Sequence, residues 1–286
     1  MHSRPRQQST TDVLRNAGCV FAEDEARILL NAAQSPAELD AMIARRVAGE
    51  PLEIIVGWAA FCGVRIALEP GVFVPRRRTE FLARQACSLA VPGGVAVDLC
   101  CGSGAVGATL QANVPAIELY AIDIEPAAVH CARRNITAPG QVLIGDLFGP
   151  LPCRLHGRID VIAANAPYVP TDWIRLMPPE ARLHEPRVSL DGGVDGLDIQ
   201  RRIADEAATW LKPGGHLLVE TSNEQVDRTV ELFTHGGLLV KISAHDATSS
   251  TVVIGTKPTV DLPTDSLLVS TNGKRHEDDQ QPARPQ

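Results

Sequence analysis

A glycine-rich loop is the first feature of the chain whose residue types and spacing could do chemistry. The segment VDLCCGSGAVG (97–107) follows a β-rich apolar run and opens a helical stretch. It contains G-x-G-x-x-G at Gly102, Gly104 and Gly107, and Asp123 follows 21 residues after Gly102. This spacing is typical of a turn that binds a nucleotide cofactor, and by itself it allows NAD.

Acidic side chains at the ends of the predicted strands favour a different ligand. Asp98 would lie near the pyrophosphate of NAD, where like charges repel, but it suits a ligand that carries an ammonium and a sulfonium group. S-adenosylmethionine is such a ligand. Asp123 could then accept both ribose hydroxyls, and Asp146 and Leu147 would border the adenine.

The turn Asn-Ala-Pro-Tyr (165–168) ends the fourth apolar run and suits transfer of a methyl group to a planar nitrogen. The Asn165 side-chain oxygen and the Ala166 carbonyl could hold the two N–H groups of that nitrogen, while Tyr168 stacks on the planar group. Pro167 restricts Ala166 to extended backbone and so presets its carbonyl. We predict that Asn165, Ala166, Pro167 and Tyr168 carry catalysis, mainly through proximity and orientation.

The elements that must position these residues are short apolar strands alternating with helices. The predicted strands are 95–99, 117–122, 141–144, 159–164, 216–221, 238–242 and 251–256. Strands that alternate with helices indicate an α/β fold with a mostly parallel sheet covered on both faces. In the first third of the chain, helices are predicted over Thr11 to Cys19 and Ala22 to Ala33, and a capping box at Ser35 and Glu38 begins another.

These patterns divide the chain into four parts. We predict a small N-terminal helical domain (1–56), a hairpin or linker (57–75), the α/β domain (76–258) and a disordered polar tail (259–286).

Composition excludes several classes of protein. The 286 residues carry a net charge of -7, and only 4% of them are aromatic. Both values disfavour a protein that binds nucleic acid directly. The seven cysteines form no C-x-x-C pair, so no metal site is predicted. We expect a monomeric, cytoplasmic protein that contacts no membrane, and nucleic acid only through a ribosome-related partner.

Several segments together resemble the HemK/PrmC family, the protein-(glutamine-N5) methyltransferases that act on peptide-chain release factors. The resemblance extends from about Arg45 to Lys257. Its most specific segments are FVPRRRTEFL (73–82) and EPRVSLDGGVDGLDIQRRI (185–203), and it also includes the glycine loop, AIDIEP (121–126) and NAPYVP (165–170).

The resemblance implies a class I, Rossmann-like S-adenosylmethionine-dependent methyltransferase with a seven-stranded sheet, an antiparallel last strand and an N-terminal helical bundle. It implies a release factor as the partner and a glutamine bound by Asn165 to Tyr168. The cofactor contacts it implies are Cys100, Cys101, Gly102, Ser103, Gly104, Asp123, Leu147 and Asn165. The chain departs from the family at Ala166, where the family has Pro, and at Cys100, where it has Gly.

Other functions remain open at this point. The same turn could hold the exocyclic amine of a nucleobase in RNA or DNA, or a small-molecule amine. The glycine pattern alone also allows an NAD-dependent oxidoreductase, and a module that binds the cofactor without catalysis is a further alternative. Glu180 and Glu185 are candidate bases, but no pattern places them beside Asn165.

Overall fold

The computed structural model describes residues 3–259, which begin with a group of helices. These are α1 (Ser3–Asn16), α2 (Ala22–Ala32), α3 (Pro36–Val47) and α4 (Leu52–Val56). The predicted N-cap of α3 is present, since the Ser35 hydroxyl accepts from the Glu38 amide at 3.2 Å. The Glu38 carboxylate accepts from the Gln34 amide at 2.7 Å, one residue before the position that a capping box uses. The helix predicted to begin at Thr11 begins earlier in the structure. The sequence does not predict its first turns, because they are polar and lack apolar periodicity. Most of the predicted tail lies outside the described residues.

A hairpin joins these helices to the rest of the chain. It consists of β1 (Trp58–Phe61) and β2 (Val64–Ala67), paired antiparallel. Its two turn residues, Cys62 and Gly63, both have positive φ, as a tight two-residue hairpin turn requires. The domain boundaries on either side of the hairpin stay a prediction.

The α/β part is built on one seven-stranded sheet, which confirms the predicted fold class. Its strands are β3 (Val95–Leu99), β4 (Glu118–Asp123), β5 (Gln141–Ile144), β6 (Ile159–Ala164), β7 (Leu211–Thr221), β8 (Leu239–His245) and β9 (Ser250–Thr256). Their order is β5-β4-β3-β6-β7-β9-β8, and β9 runs antiparallel to both of its neighbours. The antiparallel last strand is therefore confirmed.

Helices cover both faces of this sheet. They are α5 (Thr79–Leu89), α6 (Ala105–Asn113), α7 (Pro126–Asn135), α9 (Asp198–Trp210) and α10 (Val226–His235), and a short helix, α8 (Pro179–His184), lies in the connection between β6 and α9. Buried side chains of α5, α6 and α7 form the core on one face, and those of α9 and α10 form the core on the other. Within residues 3–259, every helix is too short or too polar to cross a bilayer.

The long strand β7 differs from its prediction at its beginning. It starts at Leu211 rather than His216, with an irregularity in its pairing to β6 between Ile159 and Val161. The sequence of Lys212 to Gly215 is typical of a turn. The strand nevertheless begins before this segment, because Leu211 pairs with Ile159.

Strand register aligns the ends of four neighbouring strands. Leu99 pairs with Ile122 and with Ala164, and Ala164 pairs with Val219. One residue further on, Asp123, Cys100, Asn165 and Glu220 therefore lie in one row at the carboxyl edge of the sheet, where open α/β sheets bind ligands.

A loop between α8 and α9 packs behind this row through a close backbone approach at Gly196. Gly196 has φ +78, and a Cβ there would lie 2.3 Å from the Tyr168 carbonyl oxygen and 2.4 Å from Gln225 Nε2. Gln225 Nε2 donates to that same carbonyl at 3.0 Å. Gly196 thus lets one loop support the backbone of the Asn-Ala-Pro-Tyr turn.

We expect Gly196→Ala to lower the free energy of unfolding by about 3 kcal/mol or more, from positive-φ strain and from overpacking together. The matched control is Gly157→Ala, because Gly157 has φ +67 but no atom within 4 Å of the added Cβ. Chemical denaturation of both variants measures the difference. Equal losses for the two variants would contradict the proposed close contact.

Candidate active site

A cleft of about 1370 Å³, measured to its open mouth, lies over the row at the carboxyl edge. It is bordered by the glycine loop, the ends of β4 and β5, the Asn-Ala-Pro-Tyr turn, and segments from 71–79 and 186–190. All of the predicted site residues except Gly104 line this cleft.

Two aspartates hold the glycine loop. The Asp123 carboxylate accepts from the Gly102 amide at 2.8 Å and from the Glu125 amide at 2.9 Å. Asp98 accepts from the Gly107 amide at 2.8 Å, in the first turns of α6. The backbone of the glycine loop makes a tight turn beside the cleft, since Cys100, Gly102 and Gly104 all have positive φ.

Burial alters the acid–base behaviour of both aspartates. The pKa of Asp98 is raised to about 7, chiefly by burial; the Gly107 hydrogen bond opposes the rise and the nearby charge of Asp123 adds to it. Burial also raises the pKa of Asp123, against the hydrogen bonds from Glu125 and Gly102. A cation in the cleft would lower both pKa values by stabilising the ionised forms, so these acids favour a cationic ligand.

The two cysteines of the loop carry no reactive thiolate. Burial and the surrounding aspartates raise the pKa of Cys100 and Cys101 well above the ordinary value for a thiol. Cys100 occupies the left-handed region at φ +54, where the family has glycine. Its Cβ is therefore accommodated at the cost of local backbone strain.

The predicted adenine wall has one buried and one exposed member. Leu147 is buried with φ +47 and lines the cleft. Asp146 also lines it, but its carboxylate is exposed and pairs with Arg202 at 2.6 Å. Any contact of Asp146 with an amine in the cleft would therefore compete with Arg202.

The Asn-Ala-Pro-Tyr turn faces the cleft beside the glycine loop. The Asn165 side-chain nitrogen donates to the Thr79 hydroxyl at 3.3 Å, and Thr79 is buried. This bond orients the amide and leaves the Asn165 side-chain oxygen for a partner in the cleft. Burial and the neighbouring Glu220 raise the pKa of Tyr168, so its phenol stays protonated.

Sequence reasoning missed Glu220 at the end of β7. Its carboxylate accepts from Arg78 Nε at 3.1 Å and from the Tyr168 hydroxyl at 3.4 Å. Glu220 occupies the same strand-end position as Asp123 and Asn165, so the rule that identified those residues could have identified it. Thr79 lies within the 73–82 segment of the family resemblance, and the sequence predicts no role in the site for it.

A second buried acid, Glu185, ties two walls of the cleft together. Glu185 pairs with Arg76 at 2.6 Å and also accepts from the Val74 amide at 3.4 Å. Burial raises its pKa, against the charge of Arg76. Because Glu185 is paired with Arg76, we assign it a structural role rather than that of a base. It connects the 71–79 and 186–190 segments.

Asp98 makes stability depend on pH in a defined direction. Its pKa lies above the ordinary value of 3.8, so the folded protein disfavours its ionised form and loses stability as pH rises from about 4 to 7. We expect Asp98→Asn to raise the free energy of unfolding by ~2–4 kcal/mol above pH 7, and the gain should vanish near pH 4. Thermal unfolding at both pH values measures it, with the exposed Asp205→Asn as the control. A gain of equal size at both pH values would contradict the assignment.

Comparison with known proteins agrees with this architecture. A family model described as "Methyltransferase small domain" matches residues 63–174. A methyltransferase from Pyrococcus furiosus has a similar fold, with a TM-score of 0.52 at 19% identity over 77% of this chain and 98% of that one.

Two curated relatives are similar over most of their length. A 4-amino-L-phenylalanine/4-methylamino-L-phenylalanine methyltransferase of Streptomyces pristinaespiralis is 38% identical over 68% of this chain and 69% of that protein. A release factor glutamine methyltransferase of Geobacter sulfurreducens is 35% identical over 77% of this chain and 79% of that protein. Of the two interpretations of the glycine loop, this similarity favours the methyltransferase over the oxidoreductase. With further relatives of the same name at similar identity, it shows that the chain belongs to the release factor glutamine methyltransferase family.

Proposed function

We propose that this protein transfers the methyl group of S-adenosylmethionine to the side-chain nitrogen of a glutamine in a peptide-chain release factor. The observation that carries the proposal is the oriented amide of Asn165. The Asn165 side-chain nitrogen donates a hydrogen bond to Thr79, so the side-chain oxygen faces the cleft. The glycine loop lies on the other side of that cleft.

The cofactor side of the cleft suits S-adenosylmethionine. Asp98 and Asp123 provide negative charge for the ammonium group and the ribose hydroxyls, and Leu147 offers an apolar wall for the adenine. The pyrophosphate of NAD would instead lie against two carboxylates. S-adenosylmethionine, when bound, supplies an electrophilic methyl group, and the loop residues Cys100 to Ser103, which line the cleft, would hold it in place.

The acceptor side must activate a poor nucleophile. The lone pair of an amide nitrogen is delocalised, so its reactivity depends on orientation and on hydrogen bonds to its N–H groups. The Asn165 side-chain oxygen and the Ala166 carbonyl accept these two N–H groups, and the lone pair then points towards the methyl group. Tyr168 borders the amide plane and excludes water. The nitrogen gains the methyl group as the bond from that methyl to the cofactor sulfur breaks, S-adenosylhomocysteine is left, and the proton lost from the nitrogen passes to solvent at the open mouth of the cleft.

The substitution of Ala for Pro at position 166 leaves this mechanism intact. Residue 166 contributes only its carbonyl, and Ala166 is buried at 1% exposure, which restricts its backbone through packing. Pro167 restricts the same residue from the other side.

The acceptor is tested by mass spectrometry. Calorimetry should first show that S-adenosylmethionine binds and that NAD gives no heat. Incubation with a purified release factor should then add one methyl group to a single glutamine. The matched controls are the same factor with that glutamine changed to glutamate, and 4-amino-L-phenylalanine, the acceptor named for one relative. Methylation of the amino acid alone would replace the proposed acceptor with an aromatic amine, and binding of NAD alone would overturn the methyltransferase mechanism.

Substitution of Asn165 tests the mechanism. We expect Asn165→Ala to slow methyl transfer ~10²-fold or more, because one orienting contact at the reacting nitrogen is lost. The affinity for S-adenosylmethionine should change much less, since most cofactor contacts come from the glycine loop and Asp123.

Single-turnover kinetics with saturating cofactor separates chemistry from binding. Asn165→Asp keeps an acceptor oxygen of the same size and should retain more activity than Asn165→Ala. Ala166→Pro should be tolerated. A wild-type rate for Asn165→Ala would mean that the turn does not orient the acceptor.

A further inference from the structure

Glu220 lies next to Asn165 on the neighbouring strand but does not border the cleft. Ala164 on β6 pairs with Val219 on β7, so the next residues, Asn165 and Glu220, leave the sheet at the same level. The Glu220 side chain is 2% exposed, and three of its neighbours, Arg78, Thr79 and Tyr168, line the cleft. Glu220 can therefore act on an acceptor only through these neighbours.

The contacts of Glu220 concentrate on one carboxylate oxygen. Its Oε1 accepts from Arg78 Nε at 3.1 Å and from the Tyr168 hydroxyl at 3.4 Å. The Arg78 guanidinium also lies 5.6 Å from the centre of the Tyr168 ring. These three groups form a closed cluster in which each touches the other two.

The second carboxylate oxygen of Glu220 is unusual. Oε2 is buried and accepts no hydrogen bond of ordinary geometry among residues 3–259, although the Thr79 hydroxyl lies close enough to stabilise the charge. Burial raises the pKa of Glu220, and the Thr79 hydroxyl and the Arg78 charge oppose that rise. A buried charge with an unsatisfied oxygen is unfavourable for folding, so a side chain that served packing alone would be better neutral. This cost favours a role for the carboxylate beyond packing.

We propose that Glu220 is a positioning residue for methyl transfer, which holds Tyr168 and Arg78 as a rigid wall against the acceptor amide. Tyr168 ends the turn that begins with Asn165, so fixing its hydroxyl fixes the ring that borders the amide plane. The ion pair with Arg78 holds the start of α5, from which Thr79 orients the Asn165 amide. This inference rests on the proposed function, because it concerns the acceptor side of the same site.

The kinetic test compares Glu220→Gln with Tyr168→Phe and with the double variant. Glu220→Gln keeps the shape and an acceptor oxygen but removes the charge, and it should lower the single-turnover rate ~10-fold at saturating cofactor and acceptor. The affinity for S-adenosylmethionine and the melting temperature should change little. In the Tyr168→Phe background the same substitution should cost much less, because the two residues act as one unit.

A spectroscopic test needs no acceptor. The chain has two tyrosines, Tyr120 and Tyr168, so a protein labelled with ¹³C at the tyrosine Cζ gives two signals, which Tyr120→Phe assigns. Glu220→Gln should shift the Tyr168 signal and leave that of Tyr120 in place.

The outcomes separate this inference from the proposed function. If the wild-type enzyme does not methylate the release factor, the proposed acceptor fails, and the tyrosine signals still decide whether Glu220 holds Tyr168. A wild-type rate for Glu220→Gln, an equal loss in the Tyr168→Phe background, or an unmoved Tyr168 signal would each overturn the positioning role.

Discussion

The in-register pairing of β3 with β4 on one side and β6 on the other is the constraint on which the site depends. These strands are buried on both faces, so ligand-binding side chains can stand only where the strands end. Register then brings Asp123, Cys100 and Asn165 to one level, and pairing of β6 with β7 adds Glu220. The cofactor and acceptor sides of the cleft are thus consecutive positions of a single row.

Charge is distributed unequally around the cleft. On the cofactor side, Asp98 and Asp123 accept hydrogen bonds from backbone amides, and their carboxylates can still attract a cationic ligand. On the acceptor side, the buried acids Glu185 and Glu220 are each paired with an arginine of the 76–78 segment. Removal of either arginine would leave its buried carboxylate uncompensated, which is strongly unfavourable. Electrostatic attraction therefore remains for the cofactor, whereas the acceptor meets a rigid and internally neutralised wall.

The parts of the site that sequence could predict are those encoded locally. Apolar runs identify the strands, and an acid or Asn near the end of a run or directly after it identifies Asp98, Asp123 and Asn165. The support of the site is not local. Arg78 reaches Glu220 across 142 residues and Arg76 reaches Glu185 across 109, so no pattern within one segment pairs them. The approach of Gly196 to Tyr168 likewise depends on how two loops pack, and the first turns of α1 form without the apolar periodicity that would predict them.

The central claim is that the Asn165 side-chain oxygen and the Ala166 carbonyl together hold the acceptor nitrogen. A crystal structure with S-adenosylhomocysteine and a glutamine-containing peptide of the release factor tests it most directly. The account predicts that the glutamine amide nitrogen lies within hydrogen-bonding distance of both oxygens, while the Asn165 nitrogen remains on Thr79. A glutamine bound elsewhere in the cleft, or an Asn165 amide turned so that its nitrogen faces the acceptor, would contradict it.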